Sequence, residues 1–336
     1  MEMTDADVGQ KSHTRLSWID VIKGIGILLT IFYHCLGGGT LGRFLPKLQT
    51  VIASFHMPLF FFVSGYLYRK KPAKDFFFSK MTALVIPYVL VQFINWFLQL
   101  GVSGFCRVTG AGSFYHLLRL EGYWFILSLL YVCLIYYILD CALSKRIKST
   151  GPVILAIAAA FFVLCMVYCK FAGVKSSIVL NACSGFLYYS FGAVCKRGLQ
   201  QIRTGGAAWI VGAAASAAVY FSAQANTLVT MAQNEYGNPF LFLISSLCGI
   251  VAVSCIGIGI GKNNILEFFG KNSLVTITTQ FPVFRVIKTV LQAVFHSEPL
   301  IVIFCFLLTC LVEYCLIKAI NAYFPMFAGK FRYNPN

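Results

Sequence analysis

The chain has 336 residues, of which 59% are hydrophobic and only 11% charged, and its mean hydropathy is +0.78. Soluble domains carry about a quarter charged residues, so a water-soluble globular protein is excluded and an integral membrane protein is indicated. The net charge of +16 would by itself suit nucleic acid or an anionic surface. Here the Lys and Arg residues fall in short segments between apolar runs, which the positive-inside rule explains more simply, so nucleic acid is not expected as a partner.

Residues 1–16 are polar, with Asp5, Asp7 and Lys11, and are expected to form a cytoplasmic tail. The apolar run after them is too long for a signal-peptide core and has no small-x-small cleavage site, so it is expected to be retained. Ten apolar runs follow in chain order, near 17–36, 50–68, 82–100, 122–140, 152–172, 176–195, 206–223, 239–261, 273–294 and 299–320. Backbone groups cannot stay unpaired in lipid, so each run is predicted to be a helix. A β-barrel would need short alternating segments instead. The expected fold is an all-α bundle of about ten transmembrane helices over 17–320, followed by a second tail at 321–336. No internal repeat and no second hydrophilic domain is apparent.

The charges alternate with the spans. Arg69, Lys70, Lys71, Lys74 and Lys80 lie between the second and third. Lys145, Arg146 and Lys148 follow the fourth, and Lys196, Arg197 and Arg203 the sixth. Lys262 and Lys271 follow the eighth, and Lys330 and Arg332 the tenth. The intervening segments are poorer, although Arg43, Lys47, Arg107, Arg119, Lys170 and Lys175 fall there. Asn226–Asn238 holds Glu235 and no Lys or Arg. Ten spans with both termini in the cytoplasm fit this bias. A multi-pass protein of the inner membrane, with the bilayer as its first partner, is expected. Thirteen cysteines sit mostly inside apolar runs, without CxxC pairs or zinc spacing. They read as free thiols packing as small apolar side chains, and no metal is expected.

Ionisable groups inside spans are costly and are functional candidates. The first span, "WIDVIKGIGILLTIFYHC", holds three: Asp20, Lys23 and His34. Eleven residues at about 100° each make close to three whole turns, so Lys23 and His34 share a face about 16 Å apart along the axis. Asp20 lies on nearly the same face, and Gly24 and Gly26 would let a neighbour or ligand approach. Two readings of Lys23 with Asp20 stay open, an interior cation with its partner or an interfacial pair whose lysine snorkels to headgroups. His34 is a titratable base or a histidine satisfied by a neighbouring helix. His56 begins near the same level on the second span, ahead of Pro58. On the ninth span Arg285 and Lys288, three apart, share a face and either line an anion-accepting cavity or snorkel, with Glu313 a possible partner. Gln92, Asn95 and Gln280 are the other polar groups inside spans. Glu121 and Trp124, in "EGYWF", suit interfacial anchoring or the face of a sugar.

Several stretches in order carry a family resemblance. "IDVIKGIGILLTIFYH" has Asp, a basic residue and Gly ahead of a His, with ten residues between the basic residue and the His. "FHMPLFFFVSGYL", the most specific, is followed by "FFFSKMTALVIPYVL", "YWFILSLL" and "FFGKNSLVTI". Together they run from about Asp20 to Leu274 and resemble the membrane acyltransferase type 3 family, whose bacterial members O-acylate sugars and envelope polymers. The chain departs from the family at Lys23, where Arg is usual and where Lys keeps the charge but not the bidentate fork. It departs again near Gln280, where many members have His.

The resemblance implies an acyl-CoA donor, most often acetyl-CoA, entering from the cytoplasm, and a hydroxyl acceptor on a glycan or lipid-linked sugar. On that reading Lys70, Lys71, Lys74 and Lys80 meet the donor's phosphates, with Lys23 deeper, and His56, Trp124, Glu121 and Arg285 face the acceptor. A neutral imidazole, with an ordinary pKa of about 6.5, suits His34 as general base, or as a transient carrier of the acyl group. The rival reading is a transporter or flippase for an envelope glycan, against which stands the lack of repeated halves.

Overall fold

The computed structural model describes residues 16–37, 46–93, 124–175, 177–199 and 206–329. Among them ten helices are long and apolar enough to cross a membrane. These are α1 (Ser17–Leu36), α2 (Pro46–Tyr66), α3 (Ala73–Phe93), α4 (Trp124–Leu143), α5 (Gly151–Ala172), α6 (Ile178–Leu199), α7 (Gly206–Gln224), α8 (Pro239–Ile260), α10 (Ser273–Val294) and α11 (Glu298–Tyr323). A short helix, α9 (Asn264–Lys271), lies between α8 and α10. The fold is an all-α membrane bundle, as the apolar runs predict.

The third span departs from expectation. It begins at Ala73 and not near residue 82, and residues 94–100 lie outside the described residues. Its first two turns, "AKDFFFSK", are charged and so look like a loop. Asp75 in the first turn and Lys80 in the last complement the helix dipole. Phe76 anchors the segment by stacking on Tyr137 of α4, ring centroids 4.0 Å apart. A π-helical segment at Met81–Val85 then joins it to the apolar remainder.

Successive spans run antiparallel. Trp18 meets Tyr66, and Tyr33 meets His56, at opposite ends of the α1–α2 pair. Asp140 at the end of α4 meets Tyr68 just past α2, while Asn321 near the end of α11 bonds Asn272 at the start of α10. The charged turn after α2, the α4–α5 turn and α9 therefore share one end of the bundle with Lys23. This gathers Arg69, Lys70, Lys71, Lys74, Lys80, Lys145, Arg146, Lys148, Lys196, Lys262 and Lys271 there. At the other end Lys175 is paired with Glu235 at 3.0 Å.

Helix α1 is central, packing against α2, α8, α9, α10 and α11, and α6 gathers α2, α4 and α5. Two crossings are so close that only glycine fits. A Cβ on Gly65 would strike the Tyr189 carbonyl, and one on Gly192 the Phe62 carbonyl, which sets α2 against α6. A Cβ on Gly24 would strike Leu266 O, and one on Gly270 Asp20 O, which sets α1 against α9. Small residues at interfaces let helices in lipid approach closely and gain van der Waals contact. The α8–α9 break has its own local cause. Gly261 takes a positive φ of 67°, and the Asn263 side chain then caps α9 by accepting from the Ile265 and Leu266 N–H groups. On the outer surface Phe171, Ile210 and Phe221 are among the most exposed side chains, facing lipid. The described cysteines are free thiols.

Gly65→Val is expected to overpack the α2–α6 crossing and lower stability by about 1–3 kcal/mol. Gly206→Ala, at a site with nothing within 4 Å of an added Cβ, should change little. Thermal unfolding of both variants in detergent checks this.

Candidate active site

At the cation-rich end, Lys23 Nζ lies 3.0 Å from Asp20 Oδ1, with the Asp20 side chain 4% exposed and that of Lys23 18%. Spacing i, i+3 puts both on one helical face. The Gly24–Gly270 contact brings α9 against them. There Lys271 donates to Glu267 at 2.6 Å, and the other Glu267 oxygen is buried without a hydrogen-bond partner. The hydrogen bond from the Lys271 ammonium holds the Glu267 carboxyl below the ordinary carboxylate range, against the opposing effect of burial. Lys23 thus belongs to an ionic group shared by α1 and α9. Gly24 and Gly26, expected to admit a neighbour or a ligand, admit neighbours: Leu266 at Gly24, and Leu59 and Phe60 at Gly26.

Three turns further along α1, His34 is walled by rings. Phe281 lies 4.6 Å away centroid to centroid, Phe284 stacks at 5.8 Å, and Tyr33 stands edge-on at 5.1 Å. No described residue hydrogen-bonds its imidazole. His56 and Arg285 lie within electrostatic reach of it. His56 is buried, and its Nδ1 lies 2.8 Å from the Ile52 carbonyl. A carbonyl only accepts, so Nδ1 carries the proton and a neutral ring leaves Nε2 as an acceptor. Both neighbouring helices carry a proline close by in sequence, Pro58 two residues after His56 on α2 and Pro282 next to Phe281 on α10. Each lacks an N–H, which removes the usual helix donor to the carbonyl four residues before it, of Ser54 and Thr278. A polar ring nitrogen among aromatic walls, with a second imidazole and a guanidinium within electrostatic reach, can take a proton from a hydroxyl and help hold an oxyanion.

A cavity of about 300 Å³ opens at the cation-rich end between the end of α2, α3 and α4. Its rim carries Arg69, Lys71 and Lys80, and its deeper wall Ser64, Leu84, Leu129 and Cys133. Lys80 also lies over the Phe76 ring at 5.6 Å. A basic mouth with a largely apolar interior suits a ligand with an anionic head and a narrow tail.

The predicted residues thus separate into groups. His34, His56 and Arg285 come together, Asp20 and Lys23 form a pair, and Lys71 and Lys80 share the cavity. Lys70 turns away to the α4–α5 turn, donating to Ser144 Oγ at 2.6 Å and lying 3.8 Å from Asp140. Lys74 is exposed and off the cavity wall. Trp124 packs edge-on against Phe125, which meets Phe60 and Phe61 of α2. Glu121 and Asn95 lie outside the described residues. Lys288 donates to the Gly37 carbonyl at 2.5 Å, at the C-terminus of α1, where a cation complements the helix dipole. Glu313 is not its partner, nor that of Arg285: Glu313 accepts from Thr279 at 2.7 Å. Sequence reasoning missed Arg69, although it sits in the same basic run. It also missed Phe281 and Phe284, whose i, i+3 spacing around Pro282 was the available signal.

A family model described as an acyltransferase domain matches residues 16–318. No curated protein matches the chain, and no solved structure does.

The Glu267 carboxyl yields a pH prediction. A carboxyl acidified by folding stabilises the fold above its unfolded pKa, about 4.3. That contribution is lost as pH falls through the folded value. Wild-type thermal stability should therefore drop as pH falls below about 4.3, and Glu267→Gln should show a shallower drop in the same scan.

Proposed function

The chain belongs to this acyltransferase family, and we propose that it moves an acyl group, acetyl foremost, from cytoplasmic acyl-CoA to a sugar hydroxyl of an envelope or exported glycan. The observation that carries the reading is the pairing of two sites along α1 and α2: a basic-mouthed cavity at one end and the His34 imidazole toward the other. Ser64 in the cavity wall and His56 beside His34 are eight residues apart on α2, about 12 Å along the axis. A phosphopantetheine arm can bridge that length.

On this reading Arg69, Lys71 and Lys80 take the phosphates of the donor, and the thioester reaches toward His34. The neutral His34 accepts the hydroxyl proton as the acceptor oxygen attacks the thioester carbon. Negative charge collects on the thioester oxygen, where the Arg285 guanidinium is the available cation. The new C–O bond forms, the C–S bond breaks, and the imidazolium returns its proton to the leaving thiolate. His56 Nε2, left as an acceptor by the Ile52 bond, takes a hydrogen bond from a second hydroxyl of the acceptor sugar and so orients it. The clustering of cations at the Lys23 end supports an orientation with that end, and both termini, in the cytoplasm of a cell's inner membrane.

His34→Ala is expected to cut transfer by roughly 10²–10⁴-fold in purified protein that still inserts and folds. Full activity in that variant would overturn the role. Labelled acetyl-CoA supplied to proteoliposomes separates the rival: acetylated glycan supports the enzyme, and glycan movement without donor supports a transporter.

Arg69→Gln, Lys71→Gln and Lys80→Gln are each expected to raise the acyl-CoA KM roughly fivefold, equivalent to about 1 kcal/mol, with kcat nearly unchanged. Lys74→Gln should do neither. Steady-state kinetics against donor concentration checks both.

A further inference from the structure

Two of the three cations at the cavity mouth, Arg69 and Lys71, sit in the non-helical connector between α2 and α3. Long side chains in such a segment would sample many rotamers, and ordering them costs binding free energy. The connector is instead clamped at four points, by α4, the α4–α5 turn and α6. The Tyr68 hydroxyl donates to Asp140 Oδ2 at 2.8 Å. Lys70 Nζ lies 3.8 Å from the same carboxylate oxygen and donates to Ser144. Lys196 Nζ donates to the Tyr68 carbonyl at 3.2 Å, and the Tyr137 hydroxyl donates to the Lys71 carbonyl at 3.0 Å. Pro72 disfavours a helical turn at Lys71 and keeps it extended.

The clamps hold the connector against the cavity. The Tyr68 hydroxyl and the Lys70 ammonium turn to Asp140, while Arg69 and Lys71, together with Tyr68 itself, line the cavity. From Arg69 to Lys71 the side chains alternate, Lys70 away from the cavity and its two neighbours toward it, as follows from an extended backbone in which successive side chains point opposite ways. Asp140 is the common anchor. Its other oxygen accepts from Thr150 at the start of α5, so one buried carboxylate ties the connector, α4 and α5 together. Burial of the Tyr68 phenol, reinforced by its bond to the Asp140 carboxylate, keeps that phenol protonated and a donor. Asp140 does not itself line the cavity and has no place in the acyl-transfer chemistry.

We propose that Asp140 is a positioning residue that, through Tyr68 and Lys70, presents Arg69 and Lys71 to the phosphates of a nucleotide-bearing acyl donor. The inference rests on the donor reading above. It predicts an effect on donor capture without an effect on chemistry. Asp140→Asn keeps the shape and an acceptor for Tyr68 but removes the charge that holds Lys70. Purified Asp140→Asn should show a roughly tenfold higher acyl-CoA KM and weaker CoA binding by calorimetry, with kcat within about twofold of wild type. Tyr68→Phe should shift the same quantities by a smaller factor, and Asp140→Glu should restore part of the loss. A folded Asp140→Asn protein that binds CoA as wild type does, or whose kcat falls while KM holds, would overturn the inference and leave the donor site standing. Should Asp140→Asn fail to fold, Tyr68→Phe decides by the same split, an unchanged KM overturning the inference. Wild-type protein that binds no CoA would overturn the donor reading itself.

Discussion

In lipid, apolar surface gains little by leaving one hydrocarbon environment for another, so the bundle depends on how closely its backbones approach. The two glycine crossings set that approach. At one, Gly65 and Gly192 seat α2 on α6. At the other, Gly24 and Gly270 seat α1 on the short helix α9. The first fixes the end of α2, and with it the connector that carries Arg69 and Lys71. The second brings the Glu267–Lys271 pair beside Asp20 and Lys23. The cavity mouth and the ionic group inherit their geometry from backbone contacts that a single methyl group would prevent.

Polar groups in the interior follow a common pattern. Several are answered by a neighbour on another element or by their own helix: Asp20 by Lys23, His56 by the Ile52 carbonyl, Glu313 by Thr279, Lys288 by Gly37. Burying a polar group without a partner is costly, so these contacts rigidify the bundle while they satisfy it. His34 differs. Among the described residues nothing hydrogen-bonds its ring, and its walls are aromatic. An imidazole kept in the interior but left with bonding capacity is what proton transfer requires.

The stretches that carried the family resemblance have separate physical tasks. In "FHMPLFFFVSGYL", His56 joins the His34 group and Pro58 interrupts the helix beside it. Phe60 and Phe61 meet Phe125, Ser64 lines the cavity, and Gly65 seats α2 on α6. In "FFGKNSL", Gly270 and Lys271 serve the α1 contact, and Asn272 ties α10 to α11 through Asn321. Short motifs of this density mark places where packing and chemistry share the same turn of helix.

The sequence by itself determined the class, the ten spans and nearly all their limits, because hydropathy and helix period are local properties of the chain. It determined that Asp20, Lys23 and His34 share a face, because helix geometry is fixed. It misjudged the start of α3, where charged residues near a membrane boundary look like a loop until Phe76 finds Tyr137. Which cations face a cavity was decided only by the tertiary structure. Lys70 and Lys71 are adjacent in sequence, yet one turns to Asp140, seventy residues away, and the other to the cavity mouth. The same holds for Arg285, whose place beside His34 depends on α10 packing against α1. Such choices depend on contacts between distant segments, and no period or composition within one segment contains them.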